Sequence, residues 1–116
     1  LSYFTIKFND LEIARKAKAA ESFVDRSVGL MFSESLGEKD ALIIHPCRSI
    51  HTFFMKYSID VIFLNKANKV VKVLRNIKPW RVTPIYFNAN KVVELEGGSL
   101  PESIEPGVKL EIECIS

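Results

Sequence analysis

The side chains able to bind a soft metal or to move a proton crowd into one short stretch, where His45, Cys47, His51 and Met55 fall within eleven residues. An imidazole beside a thioether suits a soft metal or proton transfer. Strand alternation over residues 49–55 would set His51 on the same face as Phe53 and Met55. The plain reading of such a histidine is a packed, hydrogen-bonded end to an apolar strand face. His45, Cys47 and His51 together offer thiolate and imidazole to copper or zinc. Pro46 interrupts them, however, and no second ligand pair follows, whereas a structural zinc wants four ligands. No metal site and no cofactor are expected. Cys47 with His51 as nucleophile and base would further require an orienting group and an oxyanion hole.

Charged residues supply the remaining candidates. Arg26 could present its guanidinium to an anionic ligand, or pair with Asp60 or Glu94 to tie a helix to a sheet. Arg81, beside Trp80 and after Pro79, poses the same choice between stacking, ion pairing and ligand contact. The candidate ligand-binding residues are therefore Arg26, His51, Met55, Asp60 and Arg81, with no catalytic residue assigned.

These residues must be positioned by short elements. Phe4, Ile6 and Phe8 alternate with polar neighbours as in a half-buried strand, and Asn9-Asp10 turns the chain into a second extended segment over residues 11–19. Ser22, with Asp25 three positions on, reads as the N-cap of a helix that places Val24, Val28, Met31 and Phe32 on one face. Gly29 inside it points to close backbone packing or an early helix end. Further strands are expected over residues 41–45, 49–55, 60–65, 69–75 and 91–96, with the 60–65 and 69–75 pair forming a hairpin. The last runs through Val108, Leu110, Ile112 and Cys114, which makes Cys114 a buried free thiol. Pro79 and Pro84 bracket an irregular connection, and Gly97-Gly98 and Gly107 read as turn glycines. About eight strands and one short helix packed on them predict a mainly β fold with an α+β tendency, a small sandwich or partly closed barrel.

Length and composition agree with one domain over residues 1–116. Hydrophobic residues make up 47% and charged residues 26%, values typical of soluble globular proteins. The 16 basic and 14 acidic residues read as spread along the chain, so nucleic-acid binding is not favoured. No apolar run reaches the ~20 residues of a membrane-spanning helix, so membrane insertion is not expected. The opening residues lack the form of an export signal, which favours the cytoplasm for the chain as given, although without an initiator methionine a missing leader stays compatible with it.

Four blocks occur in an order that resembles domain-of-unknown-function family 192. They are residues 26–32 (Arg-Ser-Val-Gly-Leu-Met-Phe), 50–55 (Ile-His-Thr-Phe-Phe-Met), 59–64 (Ile-Asp-Val-Ile-Phe-Leu), and Val93-Glu94-Leu95 followed by Gly98. Pro79-Trp80-Arg81 and Gly107 are similar to family features as well. The resemblance implies a β-rich fold with a short helix carrying Gly29-Leu30-Met31, and it supplies no activity. Many relatives have Trp-Met-Lys-Asn where this chain has Phe54-Met55-Lys56-Tyr57, and some carry an export signal.

The function expected from these residues is a non-catalytic binding or accessory domain whose small-molecule or protein partner sits near His51. One alternative is a small enzyme using His51, with or without Cys47, in acid–base or nucleophilic chemistry. Another is metal handling through His51, Met55 and Cys47.

Overall fold

In the computed structural model, which describes residues 3–20, 25–26, 29–31, 33–37 and 39–115, seven strands join in one sheet. In chain order they are β1 (Tyr3–Phe8), β2 (Leu11–Ala20), β3 (Ala41–Ile44), β4 (Ile59–Leu64), β5 (Val70–Ile77), β6 (Lys91–Glu96) and β7 (Glu111–Cys114). They lie in the order β5-β4-β6-β3-β2-β1-β7, and every neighbouring pair is antiparallel except β2 with β3. The fold is mainly β as expected, with its strands in a single sheet that is not closed into a barrel. Its ends approach at one isolated bridge, Lys69 with Lys109, without strand pairing to close them.

The central strands are covered on both faces, which explains their unbroken apolar runs. Ile62, Leu64, Val93 and Leu95 face one cluster with Ile6, Ala17, Leu100 and Ile104. Val61, Phe63, Val92 and Ile44 face the other, which is completed by loop residues Leu30, Ile50, Met55 and Ala89. Two charged side chains interrupt this pattern on opposite faces. Asp60 shares the side of Ile62 and Leu64, while Glu94 shares the side of Val92.

Asp60 is 1% exposed and accepts three backbone hydrogen bonds. Its Oδ1 takes the N–H of Asn76 at 2.8 Å, and its Oδ2 takes those of Gly98 and Leu100 at 3.0 and 2.9 Å. The need arises locally: Ile59 pairs with Ile77 and Val61 with Leu74, so β5 bulges opposite Asp60, and Asn76 adopts a left-handed φ of 51°. The carboxylate thus satisfies an amide that the ladder leaves out.

Several expectations need correction. Residues 49–55 form no strand: His51 makes one isolated bridge to Val82, and Phe54 turns the chain with a φ of 64°. Phe53 is consequently exposed while Met55 is buried, so the shared face drawn for them fails. The final strand is shorter than its alternation suggested, because Val108 and Leu110 precede β7. Cys114 is exposed at the sheet edge rather than buried. Of the expected helix, Ser22, Val24, Val28 and Phe32 lie outside the described residues. Asp25 and Arg26 are helical, and Gly29 donates to the Asp25 carbonyl at 2.9 Å with a left-handed φ of 53°, the geometry of an early helix end.

Replacing Asp60 with alanine leaves three amides without their acceptor, that of Leu100 in the buried interior, and should lower stability by about 2–4 kcal/mol in denaturant unfolding. Asp60→Asn, which keeps one acceptor oxygen, should lose less. An unchanged midpoint for Asp60→Ala would contradict this role.

Candidate functional site

Two loops, residues 45–58 and 78–90, are fastened side by side over one face of the sheet by buried threonine chemistry. Thr52 exchanges backbone bonds with Trp80 and Arg81 (Trp80 N–H to Thr52 O, 2.9 Å; Thr52 N–H to Arg81 O, 2.8 Å). Its hydroxyl donates to the Lys78 carbonyl at 2.7 Å and accepts the Arg81 N–H at 2.9 Å. Thr83 Oγ1 accepts the Ile50 N–H at 3.0 Å, and the Ser49 hydroxyl donates to the Thr83 carbonyl at the same distance.

Under the first loop lies a cavity of about 270 Å³. Its polar lining is Arg26, Cys47, Ser49, His51 and Glu94, and its apolar lining includes Leu30, Ile44, Ile50 and Met55. Three of the sequence candidates, Arg26, His51 and Met55, therefore share one concavity. Asp60 does not, being bonded to backbone on the other face of the sheet. Arg81 lies outside as well: its side chain is exposed and donates to the Pro79 carbonyl at 3.4 Å.

The residue that sequence reasoning missed is Glu94, weighed only as a partner for Arg26. It is 3% exposed, and burial pushes its carboxyl up to about 8. At neutral pH it is mostly a neutral acid that can donate its O–H. Gly29 forms the wall beside it: a Cβ built there would lie 3.9 Å from Glu94 Oε1. The available signal was a charge set between Val92-Val93 and Leu95, in a strand whose neighbours bury both faces.

The other polar groups have defined states. His51 Nδ1 accepts the Phe53 N–H at 3.2 Å, so in the neutral ring the proton sits on Nε2. The ring stacks on Phe53 at a centroid distance of 4.9 Å. Cys47 Sγ donates to the Ser49 carbonyl at 3.1 Å, and burial, reinforced by Glu94, holds its thiol above the ordinary range despite that bond and Arg26. A thiolate nucleophile is thus disfavoured. Tyr57, behind the site, has its phenol pushed up to about 12 by burial and then by Glu94 and Glu96. No three His, Cys, Asp or Glu side chains among the described residues converge as metal ligands.

Glu94 makes stability depend on pH. Folding raises its pKa from an ordinary 4.5 to about 8, so between these values the native state keeps a proton that the unfolded chain has released. The stability linked to this group is fully present below the lower value and falls as pH rises toward the upper one, by roughly 1.4 kcal/mol per pH unit. Urea unfolding from pH 5 to 8 should show Glu94→Gln gaining on the wild type as pH rises. Parallel stability curves would contradict the assignment.

Comparison with known proteins agrees with the sequence resemblance. The chain is 41% identical over 97 residues to a UPF0127 protein of Pyrococcus horikoshii, covering 78% of this chain and 80% of that one. It is 36% identical over 106 residues to a UPF0127 protein of Pyrococcus furiosus, covering 86% and 89%. The fold is similar to the crystal structure of a protein of unknown function from Novosphingobium aromaticivorans, with a TM-score of 0.77 at 22% identity over 94% of this chain and 83% of that one. The model of the DUF192 family, described as "Uncharacterized ACR", matches residues 5–112, and the chain belongs to that family.

Proposed function

We propose that this chain is a non-catalytic binding domain that receives a small, partly apolar molecule in the cavity between Arg26, His51 and Glu94. The observation that carries this reading is the burial of Glu94 in the wall of an open concavity. A carboxyl held neutral there costs stability that an aliphatic side chain would not, and that cost is understandable where the group serves a ligand. The polar lining is rich in donors at neutral pH: the Arg26 guanidinium, the Glu94 O–H and the His51 Nε2–H. Leu30, Ile50 and Met55 supply an apolar counterpart. Such a site complements a molecule with a carboxylate or carbonyl at one end and a short hydrocarbon at the other.

Glu94 also favours a second reading, acid–base catalysis, because a carboxyl near 8 in a cleft is suited to proton transfer around neutral pH. His51 lines the same cavity and would be its natural partner. The Cys47 variant of that idea is weakened by the raised thiol. Binding is preferred because it asks nothing of the site beyond the donors and apolar surface already present.

Thermal unfolding at pH 7 against a panel of three- to six-carbon carboxylates and amides, with matched amines as controls, tests the binding reading. At saturating concentration a member of the acceptor series should raise the wild-type Tm by roughly 3–10 °C. His51→Ala and Glu94→Leu should fold and lose most of that increase. Equal increases in the variants, or stabilisation by the amines alone, would contradict it.

A further inference from the structure

The near balance of charge conceals a segregation along the chain. Residues 41–93 carry nine Lys or Arg and a single acid, Asp60, which is buried. Within that segment the two fastened loops, 45–58 and 78–90, contain Arg48, Lys56, Lys78 and Arg81 and no Asp or Glu. The same loops hold most of the exposed large hydrophobic side chains among the described residues. Leu11 and Ile115 apart, these are Phe53, Phe54, Trp80, Val82, Ile85 and Phe87, with Trp80 56% and Phe87 77% exposed.

The exposure is built into the backbone. Phe54 and Trp80 have left-handed φ values of 64° and 68°, a conformation unfavourable for bulky aromatic residues. The Thr52 carbonyl holds both turns by accepting the N–H groups of Met55 and Trp80. The rings then support each other outside the core, Phe54 against Trp80 at 4.8 Å and Phe53 against Trp80 at 5.9 Å. Folding therefore holds these apolar side chains in water beside Arg48, Lys78 and Arg81, while Lys56 pairs with Glu34 at 2.6 Å.

The geometry points to an anionic lipid bilayer as the occupant of this surface, with the aromatic and aliphatic tips entering the headgroup region and the basic side chains facing acidic lipids. Exposed rings and branched aliphatics flanked by Lys and Arg match the chemistry of a bilayer interface. Single-stranded nucleic acid fits less well. Val82 and Ile85 offer no stacking face, and the rings pack on one another instead of standing apart for successive bases. The contact is interfacial; no helix among the described residues is long and apolar enough to cross a membrane.

Trp80 is the only tryptophan in the chain and reports directly on this surface. The full chain is mixed with vesicles of phosphatidylcholine alone or with 30 mol% phosphatidylserine, and Trp80 emission and co-sedimentation are followed. Expected are a blue shift and co-sedimentation with the anionic vesicles, both weakened by raising salt from 0.05 to 0.5 M. The double variant Lys78→Ala/Arg81→Ala should bind about thirtyfold more weakly. Phe87→Ser should also bind more weakly, and both proteins should melt as the wild type does. Three outcomes would overturn the proposal: no binding to anionic vesicles at low salt, binding that ignores lipid charge and the double variant, or Trp80 quenching by oligothymidylate with no response to vesicles.

Discussion

The structure turns on one carboxylate. A buried carboxylate at the centre of a sheet needs acceptor bonds for its oxygens, and Asp60 fills them with the amides of Asn76, Gly98 and Leu100. That arrangement permits the bulge in β5 and anchors the connection after β6. Arg75, at the same bulge, completes the anchoring with opposite polarity, donating to the carbonyls of Leu100, Pro101 and Ile104. Gly97 has to be glycine within this arrangement, because a Cβ there would come within 2.9 Å of the Ser58 carbonyl oxygen. The β4–β5 edge and the connection after β6 are thus tied together by acceptors and donors that the ladder does not use.

Glu94 poses the same electrostatic problem on the other face of the sheet, with a different solution. Where Asp60 is saturated by amides and belongs to the fold, Glu94 opens onto a cavity and is held largely neutral by burial. The two acids lie on adjacent strands one register position apart, Asp60 opposite Leu95 and Val61 opposite Glu94. Strand alternation alone assigns one to architecture and the other to the pocket. The 45–58 loop that lines the pocket is fixed to the 78–90 loop through Thr52 and Thr83, so the side chains lining the pocket and the aromatic rings outside depend on the same hydrogen bonds.

Much of the sheet was legible in the sequence because its signals are local. Alternation in β1, the aliphatic runs of β3, β4 and β6, and the turn residues around Asn9 and Asn68 depend on neighbours within a few positions. What failed depended on distant partners. Residues 49–55 have strand-like composition, yet the amides of Ile50 and Thr52 bond to the 78–90 loop while those of Phe53 and Met55 turn back within the segment, and nothing about Thr52 in the sequence marks it as the anchor. Cys114 fits an apolar alternation, but its strand lies at the sheet edge where nothing covers it. Arg26, His51 and Met55 did come together as the sequence suggested. Asp60 was grouped with them because it lies in one of the family-like blocks and charges are rare in strand-rich interiors unless paired, and only the pleat separates it from Glu94. The loop charge was hidden by a chain-wide total that averaged a basic middle against a nearly balanced start and an acidic end.

Everything said of this cavity depends on Glu94 being a neutral acid in its wall. Carbon-detected NMR titration of protein labelled with δ-¹³C glutamate, with Glu94→Gln used for assignment, measures that carboxyl directly. Expected is a glutamate resonance titrating near pH 8 and absent from the variant. A Glu94 resonance titrating at its ordinary value of 4.5 would contradict it.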